Sequence, residues 1–207
     1  MCNVYSFSGF AKVLIKNGIT FSIRDFLDPK KVDILIDKLI KKTCNEQTYA
    51  GAGIARSCFI DYKSGSAIKV NKEFFTSYLD EDAIEEYKTM IYYENEPFID
   101  GGWVINKLNE VVKSKINCCE QNYNEISTYE HFLLKNQDML DYIPHLYAVS
   151  SNWQVEIFEN CESFEWPLNT RDLQRFEFIE TNFEDTHDGN LGFNHQGKLV
   201  ILDFGLS

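Results

Sequence analysis

The chain has 207 residues, of which 44% are apolar and 25% charged, and this composition is typical of a globular domain rather than a disordered or fibrous chain. Its 32 acidic and 20 basic side chains give a net charge of −12. This charge argues against direct binding to nucleic acid or to an anionic membrane, because both require a positive protein surface. The charge is compatible with a chain that binds a basic protein partner, or with a chain that is itself an acidic imitation of nucleic acid.

Targeting signals and cysteine spacing predict a cytoplasmic protein. The sequence contains no run of about 18 apolar residues that could span a membrane, and its N-terminus lacks the basic-then-apolar pattern of a secretion signal. None of the six cysteines lies in a CxxC pair, the spacing typical of zinc ligands. We therefore expect reduced thiols and no membrane-spanning segment.

The first 45 residues are predicted to form a helical extension. Asp28 and Pro29 are typical of a helix start, because Asp caps the first turn and Pro is favoured at the first helical position. Apolar residues then recur at helical spacing between Val32 and Ile40. This segment is interpreted as a packing element.

From about residue 48 the pattern changes to that of strands. Residues 49–53 are glycine-rich and predict a break in regular structure. Residues 57–62 and 66–70 are predicted as two strands joined by a turn at 63–65, which is the pattern of a β-hairpin.

Residues 71–117 are interpreted as an inserted pair of helices with an acidic face. The segment from Asp80 to Asp100 inclusive holds eight acidic residues and one basic residue, Lys88, while the apolar residues keep a helical spacing. Such a charge run forms either a solvated surface or a docking face for a basic partner.

The remainder of the chain alternates predicted helices and strands. A helix is expected at 122–137, and a shorter one at 171–183. Strands are expected at 146–150 and 154–158, and residues 190–202 are predicted to form a hairpin.

Three polar residues near the end of the chain have the spacing of a phosphoryl-transfer site. Asp185 is followed by Asn190 five residues later, and by Asp203 another 13 residues on. In such a site one Asp accepts the proton of the substrate hydroxyl, while an Asn side-chain oxygen and a second Asp hold Mg²⁺. The pattern predicts Asp185 as the catalytic base and Asn190 and Asp203 as metal ligands.

The spaced set of Asp185, His187 and Asn190, followed by Asp-Phe-Gly at 203–205, resembles the catalytic and metal motifs of the protein-kinase-like superfamily. Its form is similar to that of aminoglycoside-phosphotransferase-type kinases and of small bacteriophage Ser/Thr protein kinases. The resemblance implies an ATP- and Mg²⁺-dependent phosphotransferase that acts on a protein Ser or Thr in the cytoplasm, or in the host cytoplasm for a viral protein. It also implies a two-lobed α+β fold, with a five-stranded antiparallel N-lobe and a minimal helical C-lobe.

The same resemblance suggests where the other parts of a kinase site lie. Gly51 and Gly53 resemble the glycine-rich loop whose amides cover the phosphates of ATP. Lys69 resembles the strand lysine that grips those phosphates. Its expected ion-pair partner is Glu125, with Glu130 as the competing candidate on the same predicted helix.

Glu159 and Cys161 resemble the hinge that contacts adenine through backbone groups, and they are predicted to bind the nucleotide. The chain departs from the family pattern at Arg56, which stands where a third glycine of the loop is usual. Asp-Phe-Gly is followed by only two residues, so the chain resembles a kinase truncated after this motif.

These features predict three regions. Residues 1–45 are the helical extension, residues 46–160 an N-lobe that carries the acidic insert at about 71–117, and residues 161–207 a truncated C-lobe with the catalytic loop. The alternative is a catalytically inactive, kinase-like protein that binds or inhibits a basic host protein through its acidic surface. The set of catalytic residues favours the enzyme, whereas the missing substrate platform and the negative charge favour the inhibitor.

Overall fold

The computed structural model of the protein is a mixed α+β fold, which confirms the predicted class. A five-stranded antiparallel sheet is accompanied by a three-stranded sheet and several helices. The described residues are 3–45, 47–52, 56–71, 115–184 and 186–204. Most of the predicted acidic insert, at 72–114, therefore lies outside the described residues.

The described helices are α1 (Phe7–Lys16), α2 (Pro29–Thr43), α3 (Lys115–Lys135) and α4 (Thr170–Asn182). Short 3₁₀ segments lie at Ile23–Leu27, Gln137–Tyr142 and Asp188–Asn190. The two helices predicted after the insert are present as α3 and α4, and α3 begins earlier than expected. Within the described part of the chain, no helix combines the length and the apolar character needed to cross a membrane.

Side-chain caps set the starts of the first two helices. The Ser6 side chain accepts a hydrogen bond from the Gly9 amide at 3.1 Å. Asp28 accepts one from the Lys30 amide at 3.0 Å, with Pro29 as the first helical residue. The helix start predicted from Asp28 and Pro29 is therefore confirmed.

The strands of the large sheet are β1 (Tyr49–Ala52), β2 (Arg56–Asp61), β3 (Ser66–Asn71), β4 (Leu146–Val149) and β5 (Val155–Glu159), and those of the small sheet are β6 (Glu162–Ser163), β7 (Leu191–Phe193) and β8 (Leu199–Ile201). Their orders are β1-β2-β3-β5-β4 and β6-β7-β8. The two predicted hairpins are present as β2–β3 and β7–β8. Strand β1 coincides with the segment that was expected to be a glycine-rich break.

The start of the chain covers β4 at one edge of the large sheet. Val4 forms a bridge with Ala148, and the amides of Tyr5 and Ser6 both donate to the carbonyl of Tyr147, at 3.0 and 3.2 Å. These residues extend the hydrogen bonding of the sheet beyond β4.

Alternation along the strands sends neighbouring side chains to opposite faces of the large sheet. On β3, Ile68 and Val70 are buried in a core shared with α1 and α2. Lys69 lies between them and projects to the other face. The buried residues of the first core are Val4, Phe10, Val13, Leu14, Ile19, Phe26, Val32, Leu35, Ile36, Leu39, Ile40, Phe59, Ile68, Val70, Ala148, Val155 and Ile157.

A second core joins the large sheet to α3, α4 and the small sheet. Its buried residues are Ile126, Tyr129, Ile143, Leu146, Val149, Phe158, Ile179, Leu191, Leu199, Ile201 and Phe204. Phe158 belongs to β5 but lies in this second core, whereas its neighbour Ile157 lies in the first. Apolar side chains thus cover one face of the large sheet and the part of the other face that β4 and β5 form.

Close backbone packing fixes the segment that leads to Asp203. A Cβ at Gly192 in β7 would come within 2.9 Å of the carbonyl oxygen of Glu162, so the small sheet requires glycine there. The amide of Leu202 donates to the carbonyl of Asn190 at 2.7 Å. Asp203 therefore comes directly after Leu202, whose amide is hydrogen-bonded to the segment that precedes β7.

We expect Leu39→Ala to destabilise the protein by about 2–5 kcal/mol, because Leu39 is fully buried in the first core and its truncation leaves a cavity. Ile34→Ala on the same helix is the control, since Ile34 is 54% exposed. Its effect should stay within about 0.5 kcal/mol. Urea unfolding followed by circular dichroism measures both variants, and equally small effects would contradict a shared core between α2 and the sheet.

Candidate active site

A cluster of buried and partly buried charged side chains lies on the face of the large sheet that is opposite to α1 and α2. It joins residues of β2, β3, β5 and α3 to the segment after β8. Its members are Arg56, Lys69, Glu125, Glu156 and Asp203. These five residues are spread over most of the chain, so only the tertiary fold brings them together.

Lys69 and Glu125 form an ion pair at the centre of this cluster. Lys69 Nζ lies 2.6 Å from Glu125 Oε1 and also donates to the carbonyl oxygen of Leu202 at 2.7 Å. The Lys69 side chain is 14% exposed and that of Glu125 is fully buried. The pair thus ties β3 to α3, and Lys69 in addition reaches the segment that leads to Asp203.

The competing candidate, Glu130, lies elsewhere on α3. Its Oε1 accepts a hydrogen bond from the Tyr5 hydroxyl at 2.7 Å. Of the two glutamates considered from the sequence, the structure therefore brings Glu125 and not Glu130 to Lys69.

Arg56 belongs to the same cluster, although the sequence marked it only as a departure from a glycine pattern. Its Nη2 donates to Asp203 Oδ1 at 2.6 Å, and its Nη1 donates to Glu156 Oε2 at 3.0 Å and contacts Glu125 Oε2. Burial disfavours the charged guanidinium, but the three carboxylates outweigh that effect and hold the pKa of Arg56 above its usual value. Arg56 is therefore a buried cation.

Glu156 is the second member of the cluster that sequence reasoning missed. Burial is the largest cause that raises its pKa well above the usual range, followed by the nearby Glu125 carboxylate. Its Oε1 is buried and, among the described residues, has no hydrogen-bond partner. A glutamate inside the apolar run 155–158 was the available sequence signal.

The two predicted metal ligands lie on adjoining segments. Asp203 Oδ2 lies 3.3 Å from the Nε2 donor of Gln121, and its side chain is 24% exposed. Asn190 ends the 3₁₀ segment before β7, and its carbonyl oxygen binds the amide of Leu202 next to Asp203. Asp185, the predicted base, lies outside the described residues. His187 Nδ1 accepts a hydrogen bond from the Gly189 amide at 3.1 Å and so caps the 3₁₀ segment that ends at Asn190.

The donor atoms of Asn190 and Asp203 fit a magnesium ion, because Mg²⁺ prefers oxygen ligands and is commonly bound through one or two carboxylates together with substrate phosphates. The described residues contain no group of three or more His, Cys, Asp or Glu arranged to hold a metal. Most of the coordination sphere would therefore have to come from phosphates and water.

The predicted phosphate loop is described in part. Gly51 has a φ of 154°, a conformation that side-chain-bearing residues rarely adopt, and a Cβ there would meet no atom within 4 Å. The pairing of β1 with β2 is also irregular between Tyr49 and Gly51. Gly53 lies outside the described residues. Gly51 thus combines an unusual backbone with open space beside it.

The predicted hinge residues differ in their surroundings. The buried carboxylate of Glu159 accepts from the His145 amide at 3.1 Å and also contacts the ring of His195. Burial raises the pKa of Cys161 to about 12, so its thiol is neutral. The side chain of Glu159 is therefore held by the backbone of His145 and the ring of His195, and the predicted contact with adenine stays a prediction.

The chain matches no known protein-family model and no curated protein sequence. The proposed function therefore depends on the residues and contacts of the charged cluster.

We expect Glu156→Gln to become more stable relative to the wild type as the pH rises. The raised pKa means that folded Glu156 keeps its proton at pH values where the unfolded chain, with an ordinary Glu pKa of about 4.3, has lost it. The wild type thus loses stability as the pH rises above that value, and the neutral amide removes this loss.

Urea unfolding at intervals from pH 5 to pH 9 measures the difference between the two proteins. Glu165→Gln is the control, since Glu165 is exposed. Parallel pH curves for the wild type and Glu156→Gln would contradict a raised pKa at Glu156.

Proposed function

We propose that the chain is an ATP- and Mg²⁺-dependent phosphotransferase with a two-lobed, protein-kinase-like architecture, and that a protein Ser or Thr is the acceptor. The carrying observation is the contact of Lys69 on β3 with Glu125 on α3 and with the carbonyl of Leu202, next to Asp203. A strand lysine, a helix glutamate and a metal-binding aspartate in one cluster are the parts that phosphoryl transfer requires.

The order of elements supports the same proposal. A five-stranded antiparallel sheet has a long helix, α3, between its third and fourth strands in chain order. After the last strand of this sheet come a short connection, the helix α4 and the hairpin β7–β8. Asn190 lies directly before this hairpin, and Asp203 lies shortly after it. This arrangement agrees with the architecture that the motif resemblance implies.

Each residue of the site has a role in this proposal. Lys69 binds the phosphates of ATP, and Glu125 holds Lys69 in position. Asn190 and Asp203 hold Mg²⁺, which neutralises charge on the β- and γ-phosphates when bound. Asp185 accepts the proton of the acceptor hydroxyl.

Backbone groups make the remaining contacts with the nucleotide in this proposal. The amides around Gly51 and Gly53 cover the phosphates, and the backbone from Glu159 to Cys161 contacts adenine. We place this activity in the cytoplasm, or in the host cytoplasm if the protein is viral.

A second candidate function is a non-catalytic protein of the same architecture that binds a basic host protein through its acidic surface. The net charge of −12 favours it, because a strongly negative protein is suited to a basic partner.

We expect Asp185→Asn to lower phosphoryl transfer from γ-labelled ATP to a protein acceptor by about 10²–10⁴-fold, the usual contribution of a general base. Asp188→Asn is the matched control, because Asp188 is an exposed carboxylate three residues further along the chain. Acceptor proteins, basic ones included, are offered as a mixture. Equal labelling by the wild type and Asp185→Asn would contradict the proposed base.

We also expect Mg²⁺ and ATP together to stabilise the wild-type protein by about 2.7 kcal/mol when the nucleotide is at a hundred times its Kd. Asp203→Asn keeps an acceptor for Arg56 but removes the negative charge, so most of the Mg²⁺-dependent part should be lost. Thermal unfolding with and without Mg²⁺ measures both. A wild type that shows no shift at millimolar Mg²⁺ and ATP would favour the non-catalytic binding protein.

A further inference from the structure

We propose that Arg56 is a positioning residue of this site, which links β2 to α3 and β5 and orients the carboxylate of Asp203 for the metal ion. This inference rests on the proposed phosphotransferase function and adds to it a residue outside the expected catalytic set.

Arg56 is placed by the strand register on the same face as Lys69. Cys58 is paired with Lys69, and Arg56 lies two positions before Cys58 on β2, so the three side chains share one face of the sheet. Only 6% of Arg56 is exposed. An arginine is rarely buried to this extent unless charged partners surround it.

The guanidinium of Arg56 connects three other elements. Nη2 binds Asp203 Oδ1 at 2.6 Å, while Nη1 binds Glu156 Oε2 at 3.0 Å and also contacts Glu125. Nη1 further donates to Asn122 Oδ1 on α3 at 3.3 Å. The planar guanidinium presents donors in several fixed directions, which a lysine ammonium, with its charge on one nitrogen, cannot reproduce.

The contact with Asp203 has a direct consequence for metal binding. Arg56 binds Oδ1, and this fixes the rotation of the carboxylate about its last side-chain bond. Gln121 Nε2 donates to the other oxygen, Oδ2, at 3.3 Å, so a metal ion held by Asp203 would meet a carboxylate whose orientation these two donors already set. Partners that orient a ligating carboxylate in this way typically change metal affinity by 10–100-fold when they are removed.

Arg56→Lys tests this role, because it keeps the positive charge and removes the planar fork. The measurement is the Mg²⁺ concentration that gives half of the ATP-dependent rise in Tm at fixed ATP. We expect this concentration to rise by about 10-fold or more in Arg56→Lys.

Arg24→Lys is the control, since Arg24 is an exposed arginine of the 3₁₀ segment after α1, and its Mg²⁺ requirement should not change. An unchanged Mg²⁺ requirement in Arg56→Lys would overturn the proposal. So would a lower requirement, because it would mean that Arg56 competes with the metal for Asp203.

Arginine side-chain NMR of the wild type tests the same contact without a variant at position 56. The chain has four arginines, and replacing the other three by lysine one at a time identifies the Arg56 signals by exclusion. In the ligand-free protein we expect separate Nη signals for Arg56, because its contacts restrict rotation of the guanidinium. These separate signals should persist when Mg²⁺ and ATP are added. Averaged signals, or signals that are lost when Mg²⁺ and ATP bind, would overturn the proposal.

The two failures can be told apart. A wild type without any Mg²⁺- and ATP-dependent shift removes the phosphotransferase function and with it the metal role of Arg56. A normal wild-type shift that Arg56→Lys leaves unaltered removes only the role of Arg56.

Discussion

The ion pair between Lys69 and Glu125 constrains how β3 and α3 can be placed relative to each other. Glu125 is fully buried and the Lys69 side chain is only 14% exposed, and a charge without a partner in the interior costs several kcal/mol. Lys69 reaches Glu125 only if β3 keeps its register and α3 packs against the sheet. A shift of one residue along β3 would turn Lys69 towards α1 and α2 and bring Ile68 to the charged face.

The two helices at the start of the chain therefore support the charged cluster from the opposite side of the sheet. Ile68 and Val70 are held in the first core by α1 and α2, and their burial fixes which face Lys69 takes. Arg56 on β2 depends on the same alternation, because Phe59 on that strand is buried in the first core. The apolar face and the charged face of the sheet are thus two results of one strand register.

Local sequence patterns predicted much of the fold and part of the site. Helix caps and the hairpin at 57–70 depend on neighbouring residues, so a single sequence indicates them. The partner of Lys69 could not be chosen from neighbouring residues in this way. The segment between β3 and α3 is long, so the sequence distance from Lys69 does not indicate which glutamate of α3 it meets. The contacts of Arg56 and Glu156 arise from packing between strands a hundred positions apart. A charged residue in an apolar strand indicates that a partner exists, but it does not identify that partner.

The first described residues lie along β4 and protect that edge of the large sheet, independently of the charged cluster. A bare edge strand offers its amide and carbonyl groups to any other chain and can start intermolecular sheet extension. Val4 and its neighbours occupy that position on β4. Proteolytic trimming of these residues, or a fused tag that displaces them, would uncover the edge and promote aggregation of a protein whose charged cluster is still intact.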